Sequence, residues 1–262
     1  MAVEPTRALV TGASSGIGKS FATALAAQGC DLILVARNQE RLEELAETLR
    51  TRHGREVQVL VADLESEPDL ARVEELLRTD TRIDLLVNNA GYGVTGSFAD
   101  LPMDRSKGQI DCNIVALTRL SHAALSHMKP SRQGGVINIA SGAAFLPTPA
   151  LAVYSATKAY VVNFSLALAE ETRALGVRVL VVCPGFTRTE FQSRAQYDTS
   201  ALPSFVWQTA DDVVLESLAA YRKGQAMLVP GMQNRVTMAL TNLIPKTLLV
   251  SLAGRFSRQP AA

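Results

Sequence analysis

The stretch RALVTGASSGIGKSFATALAAQG, residues 7 to 29, decides the fold. It opens with a short apolar run that ends at Gly12, and then passes through small residues with further glycines at 16 and 18. From there, apolar side chains recur at helical spacing until Gly29. The short run is typical of a strand and the later periodicity of a helix. The stretch therefore predicts a strand, a tight turn and a helix.

The same strand-and-helix unit recurs along one continuous domain. Further predicted strands cover residues 31–37, 56–64, 83–91, 134–141 and 177–185. They are continuous Val, Ile and Leu runs, which indicates parallel strands buried on both faces. We expect an α/β fold, a Rossmann-like doubly wound parallel sheet of about seven strands flanked by helices, with ligands at the carboxyl ends of the strands. Residues 1–230 should form the catalytic and dinucleotide-binding part, with 231–262 as a C-terminal helical extension of the same domain.

Composition narrows the classes of function. The 262 residues carry a net charge of +1 with acidic and basic residues interspersed, which argues against nucleic acid and favours a small-molecule partner. Neither the three cysteines nor the three histidines have the spacing of a disulfide framework or a metal site, so we expect no metal. The N-terminus lacks the features of a signal peptide, and no apolar run reaches about 18 residues. The expected location is the cytoplasm.

The turn TGASSGIG, residues 11 to 18, predicts a phosphate site. Small residues let the backbone turn tightly and bring the N–H groups of the following helix against a pyrophosphate, whose charge suits the helix dipole. A purely structural glycine turn is the alternative, and a lone match does not separate the two. The position between a strand and a helix favours phosphate binding.

The stretch VYSATKAY, residues 153 to 160, places Tyr154 and Lys158 four residues apart. Such residues share a helix face, so the ammonium should lie near the phenol and lower its pKa from the usual value of about 10. A surface tyrosine and a solvated lysine are the ordinary alternative. Ser141, at the end of the preceding predicted strand, favours a catalytic interpretation.

Taken together, these motifs resemble the short-chain dehydrogenase/reductase family. The glycine turn has that family's TGxxxGxG form, and NNAG (88–91), Asn113, Ser141, YSATK (154–158) and PG (184–185) fall where its motifs stand. The resemblance extends from about residue 6 to 230. Within the family, the chain resembles NADP(H)-preferring bacterial members that are similar to long-chain 3-oxoacyl and hydroxysteroid reductases.

This resemblance implies the catalytic roles. Tyr154 would be the general acid in carbonyl reduction and the general base in alcohol oxidation, with Ser141 stabilising charge on the substrate oxygen. Lys158 would also bind the nicotinamide ribose, and Asn113 would hold a water that links the lysine to solvent. The implied cofactor contacts are Gly12, Ser14, Ser15, Gly16, Ile17, Gly18, Arg37, Asp63, Leu64, Asn89, Ala90, Gly91, Tyr154, Lys158, Pro184, Gly185, Thr187 and Thr189.

The second predicted strand indicates which cofactor is preferred. An acidic residue at its tip would bind the adenosine 2′-hydroxyl and select NAD, but the chain has Ala36 followed by Arg37. A guanidinium can grip a 2′-phosphate with two parallel hydrogen bonds. NADP(H) is therefore the predicted cofactor, with NAD(H) left open because Arg37 could be an ordinary exposed arginine. Ser15 departs from the basic residue that many NADP-preferring relatives carry at that position.

Residues 186–212 concentrate aromatic side chains after a predicted strand. This pattern predicts an apolar lid over the substrate, although a loop that packs its aromatics into the core remains an alternative. The candidate substrate contacts are Ser141, Tyr154, Phe186, Phe191 and Trp207.

We therefore expect hydride transfer between NADP(H) and the carbonyl or alcohol of an apolar substrate. A regulator that binds NADP(H) without catalysis is the alternative.

Relatives pair through helices near 103–130 and 151–175, which implies a homodimer or homotetramer. Gly108 in the first helix costs about 1 kcal/mol of helix stability relative to alanine. Residues 233–262 predict two short amphipathic helices, divided at Pro245. They favour a lid or a subunit interface over a membrane-surface element.

Overall fold

A computed structural model describes residues 4–199, 202–241, 247 and 249–251. Strands and helices alternate from the first strand onward, as the sequence predicts. The first half contains β1 (Arg7–Thr11), α1 (Gly16–Ala27), β2 (Asp31–Ala36), α2 (Gln39–His53), β3 (Val57–Val61), α3 (Glu67–Thr79), β4 (Leu85–Asn88) and α4 (Met103–Ile110). The second half contains α5 (Leu117–Ser131), β5 (Gly135–Ile139), α6 (Ala152–Arg173), β6 (Arg178–Val182), β7 (Thr187–Arg188), α7 (Phe191–Arg194), β8 (Gln208–Thr209), α8 (Ala210–Arg222), β9 (Met227–Leu228) and α9 (Met232–Thr241).

The main sheet has seven strands in the order β3-β2-β1-β4-β5-β6-β9, and every neighbouring pair is parallel. The predicted Rossmann-like sheet is confirmed. The strand order reverses between β1 and β4, so a crevice forms at the carboxyl ends of these two strands, where such sheets bind their ligands. Strands β7 and β8 form a separate two-stranded parallel pair.

The core lies on both faces of the sheet. In β1, Ala8 and Val10 pack with Phe21 of α1 in one apolar cluster, whereas Leu9 packs with Leu120 of α5 in a cluster on the opposite face. A strand buried on both sides has no polar alternation, which explains the continuous apolar runs in the sequence.

The predicted helix from about 103 to 130 is interrupted in the structure. Between α4 and α5, residues Asp111–Ala116 form a π-helical segment. Helix α5 runs through Pro130 and ends at Ser131, and the following Arg132 adopts a left-handed φ of 54°. The π segment adds a residue to the turn and changes the direction of the side chains around Asn113, a distortion that often occurs at functional sites.

Helix α9 provides the described part of the C-terminal extension. Val236 and Leu240, the described members of the predicted apolar stripe, are exposed, and so is Met232. Met238 packs against a small apolar cluster that includes Val161 and Val229. The remainder of the predicted stripe and most of the second predicted helix lie outside the described residues. Within the described ranges, none of the helices is long and apolar enough to cross a membrane.

Candidate active site

The glycine turn after β1 packs closely against neighbouring segments of the chain. Gly12 and Gly16 have φ of +65° and +53°, which side chains rarely adopt. A Cβ at Gly12 would lie 2.8 Å from Asn89 Nδ2, and one at Gly16 would lie 3.0 Å from Thr189 Cγ2. Ser15 caps helix α1 without a side-chain hydrogen bond to the helix. Asn89 and Thr189 therefore lie on two sides of the backbone at the start of α1. A helix N-terminus in this position suits the pyrophosphate of a dinucleotide.

Thr11 joins the turn to the end of β4. Its hydroxyl accepts hydrogen bonds from the backbone N–H groups of Asn89 and Ala90, each at 3.0 Å, and reaches the Val87 carbonyl oxygen at 3.3 Å. The Asn89 amide in turn donates to the Thr11 carbonyl oxygen at 2.9 Å. The NNAG motif and the glycine turn therefore form one wall of the crevice.

Tyr154 and Ser141 meet at the carboxyl end of β5. Ser141 directly precedes a 3₁₀ turn, where its Oγ accepts a hydrogen bond from the Ala143 N–H at 3.1 Å. Tyr154, in the first turn of α6, is 7% exposed and its hydroxyl is hydrogen-bonded to the Ser141 side chain. The two hydroxyl groups that the sequence assigns to the substrate oxygen therefore lie side by side.

The pKa of Tyr154 differs from the prediction. Burial raises it from 10.0 to about 12, and the hydrogen bond with Ser141 lowers it only in part. The predicted net lowering of this pKa is therefore wrong, because desolvation of the phenolate dominates the shift. The phenol is accordingly neutral at physiological pH and retains a proton to donate.

Lys158 is buried beneath Tyr154. Its side chain is 4% exposed, and Nζ lies 5.9 Å from the centroid of the Tyr154 ring. Nζ donates a hydrogen bond to the Ile139 carbonyl oxygen at 2.9 Å. Burial lowers the lysine pKa from 10.5 to about 8. The ammonium therefore gives up its proton more readily than a surface lysine does.

Asn113 occupies the π-helical segment and is 1% exposed. Its amide accepts from the Tyr92 N–H at 3.1 Å and donates to the Tyr92 carbonyl oxygen at 3.0 Å. It also donates to Thr157 Oγ1 at 3.0 Å. A Cβ added at Gly91 would lie 2.8 Å from Asn113 Oδ1 and 3.3 Å from Lys158 Nζ. Asn113 and Lys158 are thus neighbours, with Gly91 between them.

Arg37 follows the tip of β2, and its side chain is 66% exposed. Its Nη1 lies 3.7 Å from Asp63 Oδ2 and 3.9 Å from Glu65 Oε1. The guanidinium is thus accessible and loosely surrounded by carboxylates. Leu64, by contrast, packs into the core beneath α3, so only its backbone faces this region.

The segment after β6 crosses the crevice. Thr187 is buried, and Thr189 lies against Gly16. Phe191 places its ring 5.3 Å from that of Tyr154. The carbonyl oxygen of Pro184 accepts from the Gly142 N–H at 2.8 Å, while Gly185 lies against Asn234 of α9.

The other candidate aromatics lie farther along this segment. Phe186 contacts both Tyr197 and Trp207, at centroid distances of 6.3 and 5.7 Å. A cavity of about 860 Å³ is lined in part by Gly16, Tyr197 and Trp207, but not by Tyr154. Of these candidate aromatics, Phe191 reaches Tyr154, whereas Trp207 lines the cavity and Phe186 packs against Trp207.

Sequence reasoning missed several polar residues around the site. Arg41 of α2 binds Glu190, which stands between Thr189 and Phe191. Glu65 and Tyr92 form a hydrogen-bonded pair beside Arg37. These residues come from separate turns and loops, and charged or tyrosine residues at such positions are usually ordinary surface groups. The sequence offered no spacing that would have identified them.

A dinucleotide cradle combined with a buried tyrosine, lysine and asparagine and a half-buried serine defines a nicotinamide-dependent oxidoreductase acting on carbonyls or alcohols. The chain belongs to the short chain dehydrogenase family, whose profile matches residues 6–199.

Its relatives include hydroxysteroid and 3-oxoacyl reductases, in agreement with the predicted resemblance. The 17-beta-hydroxysteroid dehydrogenase type 3 of Rattus norvegicus is 32% identical over 93% of this chain and 78% of its own length. The very-long-chain 3-oxoacyl-CoA reductase of Homo sapiens is 33% identical over 80% of this chain and 69% of its own. A solved short-chain dehydrogenase from Sphingobium yanoikuyae in complex with NADPH is 35% identical, covers 98% of each chain and has a TM-score of 0.85.

Proposed function

We propose that the protein reduces a bulky apolar ketone or aldehyde, or oxidises the corresponding alcohol, with NADP(H) as its preferred cofactor. The observation that carries this proposal is the hydrogen-bonded pair of Tyr154 and Ser141 above a buried Lys158. A pure dinucleotide sensor has no need of a buried proton donor of this kind, which argues against the regulatory alternative.

In the reductive direction, Tyr154 donates its proton to the substrate oxygen while Ser141 donates a hydrogen bond to the same oxygen. The bound nicotinamide supplies or accepts the hydride at the carbonyl carbon. Because the Tyr154 pKa of about 12 keeps the phenol protonated, the donor is ready before the substrate binds. In the oxidative direction, the proton returns to the same oxygen of Tyr154.

Lys158 stabilises the negative charge that this proton transfer leaves on Tyr154, and Asn113 supports the return of a proton from solvent. When Tyr154 becomes a phenolate, the nearby Lys158 ammonium stabilises it by Coulomb attraction in a medium from which water is excluded. The lysine pKa of about 8 lets it pass on a proton near neutral pH. Asn113, fixed by three hydrogen bonds, lies beside the ammonium and would position a water that connects it to solvent.

The preference for NADP(H) rests on the end of β2. Ala36 removes the carboxylate that would bind a 2′-hydroxyl and repel a phosphate, and Arg37 presents an exposed guanidinium. The related structure from Sphingobium yanoikuyae holds NADPH, which supports this assignment. The cradle residues Gly12, Gly16 and Gly18 would bind the pyrophosphate whichever cofactor is used.

The apolar character of the substrate rests on Phe191 and on the names of the relatives. Phe191 packs against Tyr154 and forms an apolar wall next to the reacting oxygen. The two named relatives act, by their names, on a steroid and on a very long acyl chain. A large apolar carbonyl compound is therefore the proposed substrate class.

We also propose a homodimer or homotetramer in the cytoplasm. Helix α6 exposes Tyr160 and Leu166, and the preceding helical elements expose Met103 and Ile110. Large apolar side chains that are exposed on these helices suit contact with a second copy of the chain.

The test is a substrate screen with the full chain. Steroid ketones, long-chain 3-oxoacyl thioesters and small polar ketones are compared in parallel, each with NADPH and with NADH, by loss of nicotinamide absorbance. We expect turnover of the bulky apolar ketones and a higher kcat/KM with NADPH. NADPH binding without turnover of any carbonyl, or of any alcohol with NADP⁺, would favour the regulatory alternative. Turnover of polar ketones alone would overturn the apolar assignment.

A further inference from the structure

Gly108 marks a close contact in the middle of helix α4. A Cβ added there would overlap both the Tyr92 hydroxyl and Glu65 Oε2. Tyr92 and Glu65 are hydrogen-bonded to each other through their side chains. The glycine, which is unfavourable in a helix, therefore makes room for this pair.

The Tyr92–Glu65 pair lies between the two ends of the proposed cofactor site. The second carboxylate oxygen of Glu65, Oε1, is 3.9 Å from Arg37 Nη1, the proposed reader of the 2′-phosphate. On the other side, the backbone N–H and carbonyl of Tyr92 are both hydrogen-bonded to the side chain of Asn113. Tyr92 is thus anchored at its backbone and holds the Glu65 carboxylate with its hydroxyl.

We propose that Glu65 and Tyr92 set the strength of cofactor discrimination through Arg37, and that they are positioning residues for it. Glu65 competes with the 2′-phosphate for the guanidinium. Tyr92 limits this competition, because its hydroxyl holds the carboxylate at the side of α4, away from a close ion pair. This inference rests on the proposed role of Arg37 as the 2′-phosphate reader.

Removing the Tyr92 hydroxyl and removing the Glu65 charge should change the recognition of NADPH in opposite directions. Without the Tyr92 hydroxyl, the carboxylate loses its donor and can close on Arg37, so NADPH should be recognised less well. Without the Glu65 charge, the guanidinium has one competitor fewer, so NADPH should be recognised better. Each change should be about two- to fivefold, the size expected for one partly exposed ion pair.

The experiment measures the ratio of kcat/KM for NADPH to that for NADH in four variants, with Arg37→Ser as a fifth that tests the proposed function. Tyr92→Phe should lower the ratio and Glu65→Gln should raise it, mainly through the KM for NADPH. The double variant should match Glu65→Gln, because the tyrosine acts through the carboxylate. Glu67→Gln is the matched control, since Glu67 carries the same charge two residues away but pairs with Arg119; its ratio should not move.

Several outcomes overturn the inference. Equal losses with both cofactors in Tyr92→Phe would mean that Tyr92 acts through Asn113 and not through Arg37. A double variant that behaves as the sum of the two would mean that the residues act independently. Arg37→Ser separates these failures from a failure of the proposed function. If Arg37→Ser leaves the ratio unchanged, Arg37 does not bind the 2′-phosphate. If Arg37→Ser lowers the ratio strongly while the Tyr92 and Glu65 variants leave it unchanged, only the inference is rejected.

Discussion

Arg41 binds both carboxylate oxygens of Glu190, with its Nη1 at 3.0 and 2.9 Å from them. Arg41 belongs to the first turn of α2, next to the proposed adenosine site, and Glu190 immediately precedes α7. The ion pair therefore connects the two sides of the crevice. Arg194 also binds Glu190, so the carboxylate holds two guanidinium groups.

Breaking this connection should loosen the cofactor. In Glu190→Gln, the segment that carries Thr189 and Phe191 loses its tie to α2, and we expect a two- to fivefold faster NADPH dissociation, the scale of an exposed ion-pair network. Stopped-flow fluorescence measures this rate. The swapped pair Arg41→Glu with Glu190→Arg should recover part of the loss. Dissociation rates that stay equal in wild type and Glu190→Gln would show that the tie does not restrain the cofactor.

Replacing Tyr154 by phenylalanine should abolish turnover and preserve cofactor binding. The substitution removes the proton donor but leaves the ring that contacts Phe191. We expect a loss of kcat of at least about a hundredfold, in the range of general acid catalysis. Tyr160→Phe is the matched control, because Tyr160 also carries a bonded hydroxyl on α6 but lies on the exposed side. Substantial activity in Tyr154→Phe would reject the assignment.

Lys158 should give carbonyl reduction a pH dependence near pH 8. Its ammonium stabilises the phenolate of Tyr154, and its pKa is about 8, so the rate should fall as pH rises through that value. The profile of kcat/KM against pH measures it. In Lys158→Met the fall near pH 8 should disappear and the remaining rate should be low. If the rate of this variant still falls near pH 8, a group other than Lys158 titrates there.

The same lysine should make stability rise with pH. The folded pKa of about 8 lies below the value of 10.5 for an exposed lysine, so the unfolded chain binds more protons between these values. The contribution of Lys158 to the free energy of unfolding therefore increases from about pH 8 to 10.5. Denaturant titrations of wild type and Lys158→Met at pH 7 and pH 10 should show the methionine variant gaining most at pH 7. A larger gain at pH 10 would contradict this sign.

Arg37→Asp should shift the preference from NADP to NAD. A carboxylate at the end of β2 would repel a 2′-phosphate and bind a 2′-hydroxyl. We expect the ratio of kcat/KM for NADPH to that for NADH to fall at least about tenfold, with kcat for NADH unchanged. Arg55→Asp serves as the control, since this half-buried arginine bonds the Gly29 carbonyl at the opposite end of the sheet.

The C-terminal extension should support the lid segment. Asn234 of α9 donates to Gln208, next to Trp207, and to the Pro230 carbonyl oxygen. Truncation after Gly231 should raise KM for apolar substrates or change the oligomer mass measured by light scattering. Co-sedimentation of the intact protein with anionic liposomes, lost on truncation and reduced by salt, would instead identify a membrane-surface element.

Motifs that depend on short spacing were predictable from the sequence. Tyr154 and Lys158 share one helix, and Ser141 follows a strand, so periodicity and topology bring the three together. The pKa of Tyr154 was not predictable, because it depends on how fully the packed structure excludes water. The π-helical segment at Asn113 was not predictable either, since the spacing of its apolar residues resembles that of an ordinary α-helix. The Tyr92–Glu65 and Arg41–Glu190 pairs join distant segments, and no local pattern identifies such partners.

The central position of β1 has a consequence for synthesis of the chain. This first strand lies between β2 and β4, and the Thr11 hydroxyl finds its partners at Asn89 and Ala90, 78 and 79 residues later. A nascent chain that ends at β3 therefore has the glycine turn but not the wall that closes it. Because a ligand stabilises only the conformations that bind it, the cofactor can assist folding only once β4 has emerged and inserted beside β1.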